Sequence, residues 1–407
     1  MDRKTGNIIL IGMIAGAGLG AVSGYFFGDT ILHIKFLGTL FLNALKMVVV
    51  PLVVASMIVG VTSLGDVRKL GRTSIKTLSF YLVTTGCSVI VGMLLVNIIR
   101  PGSGVENFGA FVPDLVESSQ GKTLIDVVTG LIPSNVFMAA AQGQILPLIV
   151  FSLVFGGVLT AIGDKGKPVI ALFEGVNLAM MKIVYLIIWF GPIGVFALIG
   201  GIVAEQRDSI EQLVTSLGWY FLTVLIGLLI HGVITLPLLL RFLGRQQPVR
   251  YFVNMGQALA TAFTTASSTA TLPVTIAAAT EKNQIDRRAA SFVLPLGATI
   301  NMDGTALYEA VAALFIAQIY GVDLTIGSQV VIFLTATLAS IGAAGIPHAG
   351  TVMMVIVLDA VGLPLEGIGL IWAVDWFLDR CRTTVNVWGD SVGAAVIANT
   401  AEFKNQH

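Results

Sequence analysis

Five polar residues recur along one stretch of this chain: Asp375, Asp379, Arg382, Asn386 and Asp390. They step by four, three, four and four, so on a helix they share one face. A greasy run precedes them, and Ser391 to Thr400, which follows, carries no charge. Charges at membrane depth are expensive and mark a substrate or ion pathway. Carboxylates can hold an ammonium or a cation, and a guanidinium grips a carboxylate as a fork. The stripe places both kinds of group on the same side.

A second group lies in Asn301-Met302-Asp303-Gly304-Thr305, which interrupts a span. Two readings are open there. Unwound backbone would free carbonyls for a dehydrated alkali cation, or Asp303 caps a helix break. Asp390 with Asn386 makes another oxygen cluster. Tyr81, Thr84 and Thr85 stand at helical spacing, as cation ligands or as glue between helices. Glu309 follows Asp303 by six. Burial favours a neutral acid, which suits a proton carrier. The other reading is an ion pair with Arg380 or Arg382. His231 and His348 are singletons and read as structural, and Lys46 reads as a snorkelling or paired lysine.

The elements that hold these residues must be membrane helices. Of 407 residues 56% are hydrophobic and 11% charged, with mean hydropathy +0.90, where a soluble domain has roughly 25% charged. The expected fold class is an all-α polytopic membrane protein. Net charge is zero, so nucleic acid has no electrostatic footprint here. Cys87 and Cys381 are the only cysteines and suggest neither a disulfide framework nor a metal cluster. Asn7 to Gly28 is long enough to span by itself, which argues against a cleaved signal peptide. There is no Asn-x-Ser/Thr acceptor, which favours a prokaryotic source.

Spans read as 8–28, 36–64, 77–99, 127–162, 169–204 and 212–240. The fourth is broken at Pro133 and Pro147 and should be a set of short helices. Beyond Arg250 come uncharged runs of 30 residues (Tyr251 to Thr280) and 35 residues (Leu324 to Leu358). Each has a small, polar, helix-breaking centre. Half of either run gives roughly 22–26 Å of helix, short of the ~30 Å of a bilayer core. A helix, a tip and a returning helix fit instead, as a re-entrant hairpin. Pro273 to Asn301 and Pro347 to Asp375 are both 28 residues apart. This spacing, with opposite flanking charges, predicts inverted repeats whose tips meet near the midplane. Alternate loops hold 15 of 23 basic residues, so both termini are expected in the cytoplasm and the protein in the plasma (inner) membrane.

At these residues the chain resembles the dicarboxylate/amino acid:cation symporter family, which includes the excitatory amino acid transporters and archaeal aspartate transporters. The resemblance runs from Tyr81-x-x-Thr84-Thr85 to Asp390. It is strongest at Asn-Met-Asp-Gly-Thr 301–305, Gly-Ala-Ala-Gly-Ile-Pro 342–347 and Asp-x-x-x-Asp-Arg-x-Arg-Thr-Thr-x-Asn-Val-x-Gly-Asp 375–390. It implies eight transmembrane spans, two hairpins and a homotrimer working as an elevator in membrane lipid. A scaffold (1–76 and 101–210) would hold a transport domain (77–100 and 211–407). It implies Asp379 for the substrate amino group, Arg382 for the side-chain carboxylate with Thr305, and Thr383 and Asn386 for the α-carboxylate. Ser268 and the second tip, with Ile346 and Gly350, would close the site. One sodium would take Asp390 with backbone oxygens of Gly297, Asn301 and Asn386. A second would take Thr299, Met302, Ser340, Ile341 and Ala343. A third would take Tyr81, Thr84, Thr85, Asn301 and Asp303. Glu309 with Arg380 would couple a proton. Archaeal members place an arginine where Ala266 stands; here the second arginine is Arg380, as in the glutamate-transporter branch. The long glycosylated insertion of the animal proteins is missing.

The expectation is a sodium-driven, proton-coupled symporter for glutamate or aspartate, with no cofactor beyond coupling ions. The alternatives are a C4-dicarboxylate carrier, a neutral amino acid carrier, a purely proton-coupled glutamate symporter, and an anion channel or receptor. An enzyme is not expected, since no nucleophile–base pair or metal-ligand cluster is legible.

Overall fold

A computed structural model describes residues 3–63, 67–103, 105, 124–342 and 349–400. Every regular element in it is a helix. The first are α1 (Arg3–Phe27), a short α2 (Asp29–Leu32), α3 (Lys35–Thr62) and α4 (Val67–Ile99). The expected break in 127–162 is present. α5 (Leu124–Gly130) stops ahead of Pro133, and α6 (Val136–Ala141) starts where Asn135 accepts from the Met138 amide at 3.0 Å. In α7 (Ile145–Ala161) Pro147 occupies the first turn, where its missing N–H leaves no bond unmade.

The fifth run differs from the expected single span 169–204. It is two helices, α8 (Lys167–Trp189) and α9 (Gly191–Glu205), parted at Phe190. Pro192 sits in the first turn of α9, where its fixed φ suits a helix start. α10 (Ile210–Ile230) then runs through a wider turn, His231–Thr235, into α11 (Leu236–Phe242).

Both uncharged runs are paired helices. α12 (Pro248–Thr265) ends at Ala266, whose φ of 49° and ψ of 36° reverse the chain. Ser267 accepts from the Ala270 amide at 3.1 Å and starts α13 (Ser268–Ala277), which packs back on α12. After the second run's α16 (Ile326–Ala339) and the tight turn Ser340–Gly342 comes α17 (Ala349–Ala360), which packs on α16. The tip positions Ala343, Ile346 and His348 lie outside the described residues. Between the runs lie α14 (Arg287–Ile300) and α15 (Asp303–Ile319); α18 (Gly367–Ala398) follows them.

α15 is the central post. All of its residues are buried except Gln318, and a helix apolar on every side belongs inside. It is packed by α4, α10, α16, α17 and α18. α1, α3, α7, α8 and α9 pack chiefly among themselves. The two groups meet where α3 touches Ser340–Gly342 and α17, and where α9 touches α18. Among the described residues five helical stretches are long and apolar enough to cross a bilayer: Asp29–Thr62, Thr73–Ile99, Lys167–Trp189, Arg207–Phe242 and Arg287–Ile319. The chain is an all-helical membrane protein.

Candidate functional site

α18 is one unbroken helix of 32 residues, so the stripe keeps its register. Asp375, Asp379, Arg382, Asn386 and Asp390 are each at most 6% exposed. Arg382 is fully buried. Its Nη2 donates to Asp379 Oδ1 at 2.8 Å and lies 2.9 Å from Asp375 Oδ1. Its Cζ stands 3.7 Å above the centre of the Tyr308 ring, a cation–π contact. Among the described residues Nε and Nη1 have no hydrogen-bond partner. Unspent donors on a buried cation cost free energy unless an anion takes them.

The surrounding elements converge on this guanidinium. Thr351 of α17 donates to Asp375 Oδ2 at 3.3 Å. A Cβ on Gly350 would come 3.1 Å from Arg382 Nη1 and 3.2 Å from Thr305 Cγ2, so the hairpin backbone lies close against both side chains. Asn386 crosses to α15: its Oδ1 accepts from Gly304 N at 2.8 Å, and its Nδ2 donates to Thr305 Oγ1 at 3.1 Å and Met302 Sδ at 3.2 Å. The Thr383 hydroxyl donates to the Asp379 carbonyl of its own helix at 2.8 Å. Ser268 is buried at the start of α13, which packs on α18.

A second cluster forms where Asn301 and Met302 separate α14 from α15. Asp303 Oδ1 accepts from Thr85 Oγ1 at 2.7 Å and Thr84 Oγ1 at 3.3 Å, while Oδ2 lies 3.0 Å from His231 Nε2. No side chain caps the start of α15. The Asp303 carboxylate therefore faces α4 and the His231–Thr235 turn, and does not cap its own helix. Asn301 links two acids: its Oδ1 is 3.4 Å from Thr84 Oγ1, and its Nδ2 donates to Asp390 Oδ1 at 2.9 Å. A Cβ on Gly297 would meet Asp390 Oδ1 at 2.5 Å and the Tyr81 hydroxyl at 2.6 Å. Carboxylates, hydroxyls, an amide oxygen and unwound backbone form an oxygen-rich donor set suited to a hard cation.

Some expected residues stand apart. Thr299 is exposed, and its hydroxyl donates to Leu296 O at 2.9 Å within its own helix. Ser340 Oγ donates to Thr337 O at 2.7 Å, and the Ile341 carbonyl lies against Gly60 of α3. The Tyr81 hydroxyl donates to Val293 O at 3.0 Å rather than to Asp303. Arg380 donates to the Trp376 carbonyl at 2.6 Å on another face of α18. Glu309 is fully buried, with no hydrogen bond to either oxygen among the described residues.

Other residues at the site escaped the sequence reading. Tyr308 and Thr351 serve the arginine, and Ser88 donates to the Asp303 backbone oxygen at 2.8 Å. His231 is the largest omission, since it contacts Asp303 from 72 positions away and no spacing rule links them.

The sodium:dicarboxylate symporter family model matches residues 8–400. The chain is 42% identical to excitatory amino acid transporter 3 of Mus musculus, covering 90% of this chain and 79% of that protein. It is 39% identical to excitatory amino acid transporter 1 of Ambystoma tigrinum, over 92% and 78%. With an excitatory amino acid transporter of Caenorhabditis elegans the identity is 37%, over 96% and 87%. These proteins are transporters, not enzymes. With that family model matching residues 8–400 and relatives about 40% identical over nine-tenths of its length, the chain belongs to the sodium:dicarboxylate symporter family.

Proposed function

We propose that this chain is a sodium-driven symporter for acidic amino acids, glutamate or aspartate. The observation that carries the reading is Arg382, fully buried beside Asp379 with Nε and Nη1 unpartnered among the described residues. A side-chain carboxylate would take the free guanidinium donors, and Asp379 would take the ammonium. Thr305, Thr383 and Asn386 would orient the substrate, with Ser268 and Gly350 on the two hairpins closing over it. A C4-dicarboxylate has no ammonium and would set its charge against Asp379. A neutral amino acid would leave Arg382 Nε and Nη1 buried without an acceptor, at roughly 1–3 kcal/mol for each.

Sodium, as co-substrate, would sit among Asp303, Thr84, Thr85 and Asn301, and at Asp390 with the Gly297 backbone. Binding of cation and substrate would be linked through Asn386, which contacts Gly304, Thr305 and Met302 from the Arg382 helix. Glu309 would carry a proton, since a carboxyl bonded to no neighbour can exchange one without breaking a contact. α1–α3 and α7–α9 would be the scaffold, and α4 with α10–α18 the moving part, as an elevator in a trimer. The chiefly internal packing of these groups supports that division. α8 is only 11% buried along its apolar window, so lipid or a second copy must cover it.

Competition separates the readings. Purified protein in proteoliposomes should take up labelled aspartate, with unlabelled glutamate competing and succinate and serine not. Equal competition by succinate would remove Asp379 from its role and favour the dicarboxylate carrier.

A further inference from the structure

A cleft of about 280 Å³ opens at the base of the first hairpin, away from the substrate cluster. Arg245, Gln246, Gln247, Arg250, Lys282 and Gln284 line its mouth. No carboxylate lines it, and none of the three cations makes an ion pair among the described residues. They come from separate places: the α11–α12 connection, the first turn of α12 and the end of the hairpin. The floor is fixed by Asn254 Nδ2, which donates to Asn283 Oδ1 at 2.9 Å and to the Lys282 carbonyl at 3.1 Å.

Three further features share this mouth. α12, a helix of 18 residues, begins beside the cleft without a side-chain cap, which leaves the amides of Val249 and Arg250 and the positive end of its dipole without a side-chain acceptor there. Arg245 and Gln284 hold φ of 53° and 55°, a left-handed conformation costly for residues with side chains. Large apolar side chains flank the cations and are exposed: Phe242 at 74%, Val249 at 79% and Val253 at 69%. The arrangement is a polar cup with a greasy rim, on the face that the positive-inside rule assigns to the cytoplasm.

We propose that this cleft binds a phosphate-bearing anion, held by Arg245, Arg250, Lys282 and the start of α12. The apolar rim suits a phosphate carried on a lipid, whose chains would lie along Phe242, Val249 and Val253. Tyr251, also in the cleft, donates to the Ser391 carbonyl at 2.8 Å and packs on Trp388. A bound headgroup therefore braces the hairpin base against α18, next to Asp390.

The test needs no transport, so it is independent of the proposed substrate. The whole protein in neutral detergent is titrated with phosphatidylglycerol, phosphatidylcholine or inorganic phosphate, and its unfolding temperature is read by tryptophan fluorescence. Phosphatidylglycerol is expected to raise that temperature and phosphatidylcholine to leave it unchanged. Each of Arg245→Gln, Arg250→Gln and Lys282→Gln should raise the half-saturating concentration about five-fold, and the triple variant should lose the shift. Lys165→Gln/Lys167→Gln, in another basic loop, should respond as the native protein does. A shift reproduced by inorganic phosphate alone keeps the site and identifies a soluble ligand. If the triple variant does not fold, the single variants still decide. A native response in all three of them, or an equal loss in Lys165→Gln/Lys167→Gln, would overturn the proposal.

Discussion

At the residue scale, the arginine at the centre of the α18 stripe makes the sharpest claim. Arg382→Cys removes the fork that the substrate carboxylate would take and leaves Asp375 and Asp379 without their cation. Loss of a buried charged pair costs on the order of 2–5 kcal/mol, so aspartate uptake should fall at least about 30-fold, read as kcat/KM in proteoliposomes. Serine or alanine exchange is the activity that could survive. Gly297→Ala tests the cation cluster by size alone, since its Cβ would stand 2.5 Å from Asp390 Oδ1. The sodium concentration for half-maximal uptake should rise about ten-fold, as when a metal site loses supporting contacts. An unchanged sodium dependence would place the cation elsewhere. The stripe was legible because helical spacing is local and α18 never breaks. His231 and Tyr308 were not, because their contacts depend on packing between elements distant in sequence. The Thr299 hydroxyl donates to Leu296 O of its own helix, a contact that local helical spacing also makes legible.

At the element scale, proline alone did not decide where helices stop. Pro51, Pro273 and Pro295 lie inside helices, whereas Pro192 begins one. At the last, Gly191 adjoins the proline, and the added backbone freedom tips the run 169–204 into two helices. The hairpin turn at Ala266–Ser267 and the break at Asn301–Met302 were readable, because small polar residues compete locally with the helix backbone. α14 offers a test of helix starts. Asp286 accepts from the Arg288 and Ala289 amides and bonds the Arg288 guanidinium, which holds its carboxyl below the usual aspartate range. A depressed carboxyl stabilises the fold above its unfolded value, and the gain is lost as pH falls through its folded value. Asp286→Ala should therefore cost about 1 kcal/mol near neutral pH, and the gap in unfolding temperature should close below about pH 4. A gap that persists in acid would assign the loss to packing.

At the scale of the whole molecule, Asn386 ties the Arg382 helix to the break at Asn301–Thr305, and two groups of helices meet where α3 and α9 touch α17 and α18. Glu309 is buried on the central post with neither oxygen bonded among the described residues. Glu309→Gln should keep aspartate exchange under sodium but flatten the dependence of net uptake on pH between mildly acidic and alkaline conditions. Matching pH profiles in native protein and variant would make Glu309 a structural residue. The helical class and the hairpins were visible in composition and run lengths. The meeting of α3 and α9 with α17 and α18 was not, because apolar faces do not announce their partners. The central claim is that sodium drives an acidic amino acid through this protein. Its most direct test is labelled aspartate uptake into proteoliposomes with an inward sodium gradient, compared with equal sodium on both sides and with potassium in its place. Accumulation above the external concentration under the sodium gradient alone is the predicted result. Accumulation that is the same without sodium, or no accumulation under the gradient, would contradict it.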